Sequence, residues 1–315
     1  MNRPPTLGAL LWRWGEMIRF SHSVFALPFA LMSAFLAARA AHEAGDAGSR
    51  LPGAGHILLI IGCMVTARSA AMTFNRLVDA RIDARNPRTA GRAIPSGTIS
   101  PAQAKLFLAA CALGFGLCCA GFVPLAGNWI PLALSPFVLA CLLFYSYTKR
   151  FTRWSHLVLG SVIALSPPAA WLAIHPASIG LPAILLMAAV TCWIGGFDII
   201  YACQDIDFDR SAGLFSLPAS VGPRTALWVA RGCHAATVGL LAGLASAAGL
   251  GWLYAVGVVL VAALLAIENA LVRADDLSRV NLAFFTINGI VSLLLAGLTI
   301  ADCLLIAGPP AGGAM

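Results

Sequence analysis

Charge is what this 315-residue chain has least of: Asp, Glu, Lys and Arg make up 10% of it, while 60% is hydrophobic. A soluble globular chain carries about 25% charged residues, so too little polar surface is present to keep this one in water. The same shortage excludes disorder, which needs low hydrophobicity and high charge. Redox and zinc motifs are missing too. The 9 cysteines include no Cys-x-x-Cys pair and no His or Cys group at zinc spacing. Nearly all lie inside apolar runs and read as small buried hydrophobes, so nothing implies disulfides or an oxidising compartment. A secretory signal is not expected either, because the apolar run Leu7–Leu11 is broken at once by Trp12, Arg13, Trp14, Gly15 and Glu16. The segment 1–18 reads better as an interfacial start with Trp12 and Trp14 at headgroup depth. No aromatic-rich basic groove accompanies the net charge of +7, so no nucleic-acid partner is expected.

What is present is apolar sequence in long stretches, which makes this an integral membrane protein in a lipid bilayer. Thirty Gly and 18 Pro suit membrane helices, which tolerate both. A spanning helix needs about 20 apolar residues, and such stretches fall near 20–40, 57–78, 104–123, 129–147, 156–174, 180–201, 225–247, 251–272 and 282–305. The expected fold is all-α, a multipass bundle of nine helices forming one domain over 1–315, with 306–315 a short tail. No room is left for a second, soluble domain. Within 225–272 the only clear turn signal is Gly249-Leu250-Gly251.

The few charges are sorted. Seventeen of the 20 basic residues fall before the first span or after the second, fourth, sixth and eighth; Arg39, Arg50 and Arg68 are the others. By the positive-inside rule these ends face the cytoplasm, most simply across a bacterial inner membrane. Six of the 13 acids, Asp79, Asp83, Asp198, Asp205, Asp207 and Asp209, gather at the ends of the second and sixth spans on that side. Asn75, Asp79 and Asp83 are spaced i, i+4, i+8 and share a helix face. Asp205 and Asp209 share another, Asp198 falls near it, and Asp207 is roughly opposite. A Pro/Gly loop follows each acidic end, which suggests an internal duplication.

Two facing carboxylate rows repel unless cations intervene. Mg2+ fits, because it takes oxygen ligands and is commonly held by carboxylates together with substrate phosphates. Arg68, Arg81, Arg88, Arg92, Lys149 and Arg150 are then candidates for a diphosphate, since guanidinium pairs with phosphate through parallel hydrogen bonds. Solvated ion pairs at helix ends are the plain alternative for any one of these residues. Acid rows ringed by basic residues at a membrane surface suit a diphosphate carrying a long apolar tail.

At these residues the chain resembles the UbiA superfamily of intramembrane aromatic prenyltransferases. An NxxxDxxxD motif appears as Asn75…Asp79…Asp83 and runs on through Asn86-Pro87-Arg88 to Pro95-Ser96-Gly97; a DxxxD motif appears as Asp205…Asp209; and YxxxK appears as Tyr145…Lys149. Two positions depart from the usual pattern: Ala93 stands where many members have Pro, and Phe215 where several have a basic residue. The resemblance implies a bundle with a lateral opening to lipid, and Mg2+ held by Asn75, Asp79, Asp83, Asp205 and Asp209. It implies a polyprenyl diphosphate ionised between the acid rows, and a cation that alkylates an aromatic ring beside Tyr145 and Tyr201. A carboxylate or the released diphosphate would take the ring proton.

For the acceptor, an aromatic carboxylate such as 4-hydroxybenzoate, the first span offers Arg19 and His22. Arg19 could equally be a headgroup contact and His22 a helix-end hydrogen-bond partner; Tyr145, Tyr147 and Tyr201 could belong to an interfacial belt. A naphthoate on the way to menaquinone is the alternative acceptor to one on the way to ubiquinone. A multipass organic-anion transporter is the reading from another class, and acids at helix ends rather than mid-membrane argue against it.

Overall fold

In a computed structural model the described residues are 14, 15, 17, 23–46 and 50–305. Among them nine helices are long and apolar enough to cross a membrane: α1 (Phe25–Glu43), α2 (Ala54–Asp83), α3 (Pro101–Ala126), α4 (Ile130–Thr148), α5 (Ser155–Ile174), α6 (Leu181–Ala212), α7 (Pro223–Ala247), α8 (Trp252–Leu271) and α9 (Val280–Leu305). Each coincides with an apolar stretch of the sequence. The interfacial segment expected over 1–18 falls almost wholly outside the described residues, as do Arg19, His22 and the tail 306–315.

Local sequence sets the breaks between helices. Ser100 and Gln103 cap α3 reciprocally, with Pro101 in the first turn. Gly249 turns the chain between α7 and α8 at φ +56°, a conformation that favours glycine. Four of these helices are interrupted, α3 at Gly121 and three others in ways that periodicity does not reveal. The α5 helix breaks between Ile163 and Ser166, ahead of Pro167 and Pro168. The α6 helix tightens into a 3-10 turn over Cys203–Asp205 and resumes at Ile206. The α9 helix opens into a π turn over Ala283–Ile287.

Consecutive helices pack on one another, and α9 returns to pack on α1, closing the bundle. The α1 helix is the most enclosed and α4 the least. Lipid is as apolar as the core, so close packing and interhelical hydrogen bonds hold such a bundle. Gly160 of α5 lies so near α6 that an added Cβ would sit 2.5 Å from the Thr191 carbonyl. At the end away from the acid rows, Asp302 accepts the N–H groups of Gly251 (2.8 Å) and Tyr254 (3.2 Å) at the start of α8. Arg39 of α1 meets Asp302 at 3.8 Å and donates to the Gly249 carbonyl at 2.8 Å. That knot joins α1, α8 and α9 at the end away from the acid rows.

Candidate active site

The α2 helix runs unbroken through Asn75, Asp79 and Asp83, so the i, i+4, i+8 row is a real helix face. Each acid meets basic or amide side chains. Asp79 is 1% exposed and accepts from Asn75 Nδ2 (3.0 Å), Lys149 Nζ (2.6 Å) and Arg150 Nη2 (3.5 Å). Asp83 accepts from Arg92 Nη1 at 2.7 Å, while its Oδ2 is buried with no hydrogen-bond partner among the described residues. Across the cleft Asp205 accepts from Asn86 Nδ2 (3.1 Å) and Arg88 Nε (2.8 Å), with a second bond from Arg88 Nη2. Arg88 also donates to the Tyr201 hydroxyl at 3.0 Å. Burial works against the Arg88 charge, but its bonds to Asp205, helped by Tyr201, hold its pKa above the ordinary arginine value.

Three cavities meet at this end. One, of about 1020 Å³, is apolar and lies between α1, α2, α3, α4 and α5, with Ile60, Met64, Leu134 and Val138 in its wall. A second, of about 740 Å³, is lined by Phe25, Phe197, Tyr201 and Phe284 together with Arg68, Arg76 and Arg92. The third, of about 620 Å³, holds Asn75, Lys149, Asp198, Asp205, Asp209 and Ser216. Tyr145 lines all three. Arg68 lines the first two, and its Nε is buried without a partner among the described residues.

Most of the expected site residues are thus brought together. Arg81 is not: it is exposed, two residues from Asp79 and from Asp83, hence on the other side of α2. Tyr147 is exposed and packs on Phe74, apart from the cavities. Asp207 is exposed, as its register implied. Sequence reasoning gave no role to Asn86, Arg76 or His156. Asn86 lay in the quoted motif run and Arg76 beside Asn75, so both were within reach; His156 is a lone histidine with no motif around it.

The donor set suits Mg2+. Asn75, Asp79, Asp83, Asp205 and Asp209 offer hard oxygens, including the orphaned Oδ2 of Asp83. Among the described residues no three His, Cys, Asp or Glu side chains form a ready-made cage. Such a site needs phosphate oxygens to complete it, the usual situation for Mg2+.

The UbiA prenyltransferase family model matches residues 26–290. The chain belongs to that family. It is therefore a prenyltransferase, and the transporter reading gives way. Like the chain, UbiA relatives are membrane enzymes. The chain is 27% identical over 256 residues to a 4-hydroxybenzoate octaprenyltransferase of Chromohalobacter salexigens, covering 81% of this chain and 83% of that one. It is 33% identical over 175 residues to a mitochondrial 4-hydroxybenzoate polyprenyltransferase of Aedes aegypti, covering 56% of this chain and 38% of that longer protein. A solved UbiA homolog from Aeropyrum pernix superposes with a TM-score of 0.77 at 34% identity, over 89% of this chain and 98% of that one. A UbiA homolog from Archaeoglobus fulgidus, solved with GPP and Mg2+, gives 0.70 at 20% identity over 93% and 100%; at that identity it speaks for the fold.

Proposed function

We propose that this UbiA member transfers a polyprenyl group from polyprenyl diphosphate to a carboxylated aromatic, 4-hydroxybenzoate first, for respiratory quinone synthesis. The observation that carries the reading is the meeting of three chemically distinct cavities at Tyr145. A long apolar tail, a diphosphate and an aromatic acid each find a matching wall, and the carbon that must react lies where the walls join. The names of the curated relatives and the ligands of the Archaeoglobus fulgidus homolog support the same substrates and metal.

The tail enters the apolar cavity, whose lining on α4 runs from Ile130 to Tyr145, about 22 Å at 1.5 Å per residue. The diphosphate lies in the acid cavity, lined by Lys149, and Lys149 with the neighbouring Arg150, Arg88 and Arg92 exchanges carboxylate partners for phosphate oxygens. Asn75, Asp79, Asp83, Asp205 and Asp209 would hold Mg2+, which when bound neutralises diphosphate charge and eases its departure. The allylic C–O bond breaks with its electron pair on the diphosphate. Tyr145 and Tyr201 line the aromatic cavity, and aromatic rings there would favour the cation.

Arg68 lies two turns, about 10 Å, deeper than Asn75, too deep to share the diphosphate. Its unpartnered guanidinium at the edge of the aromatic cavity suits the carboxylate of the acceptor instead, beside or in place of Arg19. The basic residues at this end set it toward the cytoplasm of a bacterial inner membrane. The test is turnover in lipid vesicles with a polyprenyl diphosphate, Mg2+ and single acceptors. Prenylated 4-hydroxybenzoate is expected, with Arg68→Gln raising KM for the acceptor and not for the donor. Turnover of a naphthoate alone would move the acceptor assignment, and a donor effect of Arg68→Gln would return that residue to the diphosphate.

A further inference from the structure

One pair of side chains joins the acid cavity to the aromatic one. Asp198 lines both, yet it stands seven residues before Asp205, about 10 Å deeper along α6 than the carboxylates that face Asp79 and Asp83. One of its oxygens, Oδ2, lies 2.7 Å from His156 Nδ1. The other, Oδ1, takes no hydrogen bond from the described residues, and the side chain is 23% exposed, toward the cavities.

The histidine is itself held in one form. The backbone N–H of Leu217 donates to His156 Nε2 at 3.3 Å. That N–H is free to do so because Leu217 opens a short helix after the capping Ser216, and first-turn N–H groups have no partner within the helix. An N–H can be met only by a bare ring nitrogen. With Nε2 accepting from Leu217, Nδ1 is the ring nitrogen left to donate, and it donates to Asp198. Asp198 is thereby fixed as an acceptor, one oxygen tied back to α5 and one turned to the cavities. The run Gly213 to Pro218 gains a purpose in holding this histidine.

Resting on the functional reading above, we infer that Asp198, aimed by His156, takes the proton from the aromatic ring. The ring carbon ortho to the phenol oxygen forms a bond to the allylic carbon as the C–O bond of the diphosphate breaks. The proton on that ring carbon passes to Asp198 Oδ1, and its C–H electron pair restores aromaticity. The proton then leaves to water or the departing diphosphate in the open acid cavity, returning the carboxylate. Asp198 is a catalytic residue in this step, and His156 a positioning residue.

The experiment uses the full chain in lipid vesicles with a polyprenyl diphosphate, Mg2+, and 4-hydroxybenzoate deuterated at both positions ortho to the hydroxyl. In the wild type, proton loss follows a slower ionisation and no isotope effect is expected. Asp198→Asn, nearly isosteric, is expected to lower turnover on the order of a hundredfold, leave the donor KM unchanged and unmask a primary deuterium effect. His156→Leu should behave likewise. His156→Asn, whose amide N–H can stand in for Nδ1–H, should restore turnover and abolish the isotope effect. If Asp198→Asn shows no isotope effect, or shifts the donor KM or the Mg2+ dependence instead, Asp198 belongs to the diphosphate machinery and the inference falls. Equal behaviour of His156→Leu and wild type removes the positioning role. A wild type that prenylates no carboxylated aromatic overturns the functional reading, and this inference with it.

Discussion

Asp79 sits among Asn75, Lys149 and Arg150, and Asp205 among Asn86 and Arg88. On the function proposed above, both would trade these cationic partners for a metal and a diphosphate. Asp79→Ala and Asp205→Ala are each expected to abolish prenyl transfer while the protein still inserts and purifies, measured as diphosphate release in vesicles. Near-wild-type rates in either would remove the metal assignment. Arg81→Ala, on the exposed side of α2, is expected to leave turnover unchanged; a large loss would mean that α2 presents its other face to the substrate. At this scale the acids were legible, because a helix repeats every 3.6 residues and spacing alone puts Asn75, Asp79 and Asp83 on one face. Their partners were not. Lys149 stands 70 residues from Asp79 and Arg88 stands 117 from Asp205, and only packing decides which cation meets which acid.

The helices are shaped by their interruptions. The π turn of α9 frees backbone carbonyls, and Asn288 Nδ2 reaches those of Ala283 (3.2 Å) and Phe284 (3.4 Å) while also donating to buried Glu268 (2.8 Å). Trp193 of α6 donates to Asn288 Oδ1 at 2.7 Å. This polar knot sets Phe284 against Tyr201, ring centroids 4.3 Å apart, in the wall of the aromatic cavity. Asn288→Leu is expected to lower the melting temperature in detergent and raise KM for the acceptor, whereas Glu268→Gln, which can still accept from Asn288, should do neither. Loss of stability with an unchanged acceptor KM would make the knot purely structural. Gly160→Ala would force α5 from α6 and is expected to destabilise by about 1–3 kcal/mol, read as a lower melting temperature. Helix number was legible from apolar length, though α6 runs past its expected end near 201 to Ala212. The break at Cys203–Asp205 was not, since no Gly or Pro marks it.

For the molecule as a whole, composition foretold the setting: a chain with 10% charged residues can only live in lipid, and its scarce charge gathers at one end. The family resemblance implied an apolar groove, but the depth and layout of the apolar, aromatic and acid cavities were not foretold. They lie between α1, α2, α3, α4, α5, α6 and α9, while Arg39, Asp302 and Gly251 tie the end away from the acid rows. Their junction at Tyr145 is the centre of the account. The most direct test is a single-turnover reaction of the purified protein in vesicles with Mg2+, a polyprenyl diphosphate and 4-hydroxybenzoate, with product and diphosphate counted together. One prenylated acid formed for each diphosphate released is the expected result. Diphosphate released without a prenylated aromatic acid, or no release at all, would contradict it.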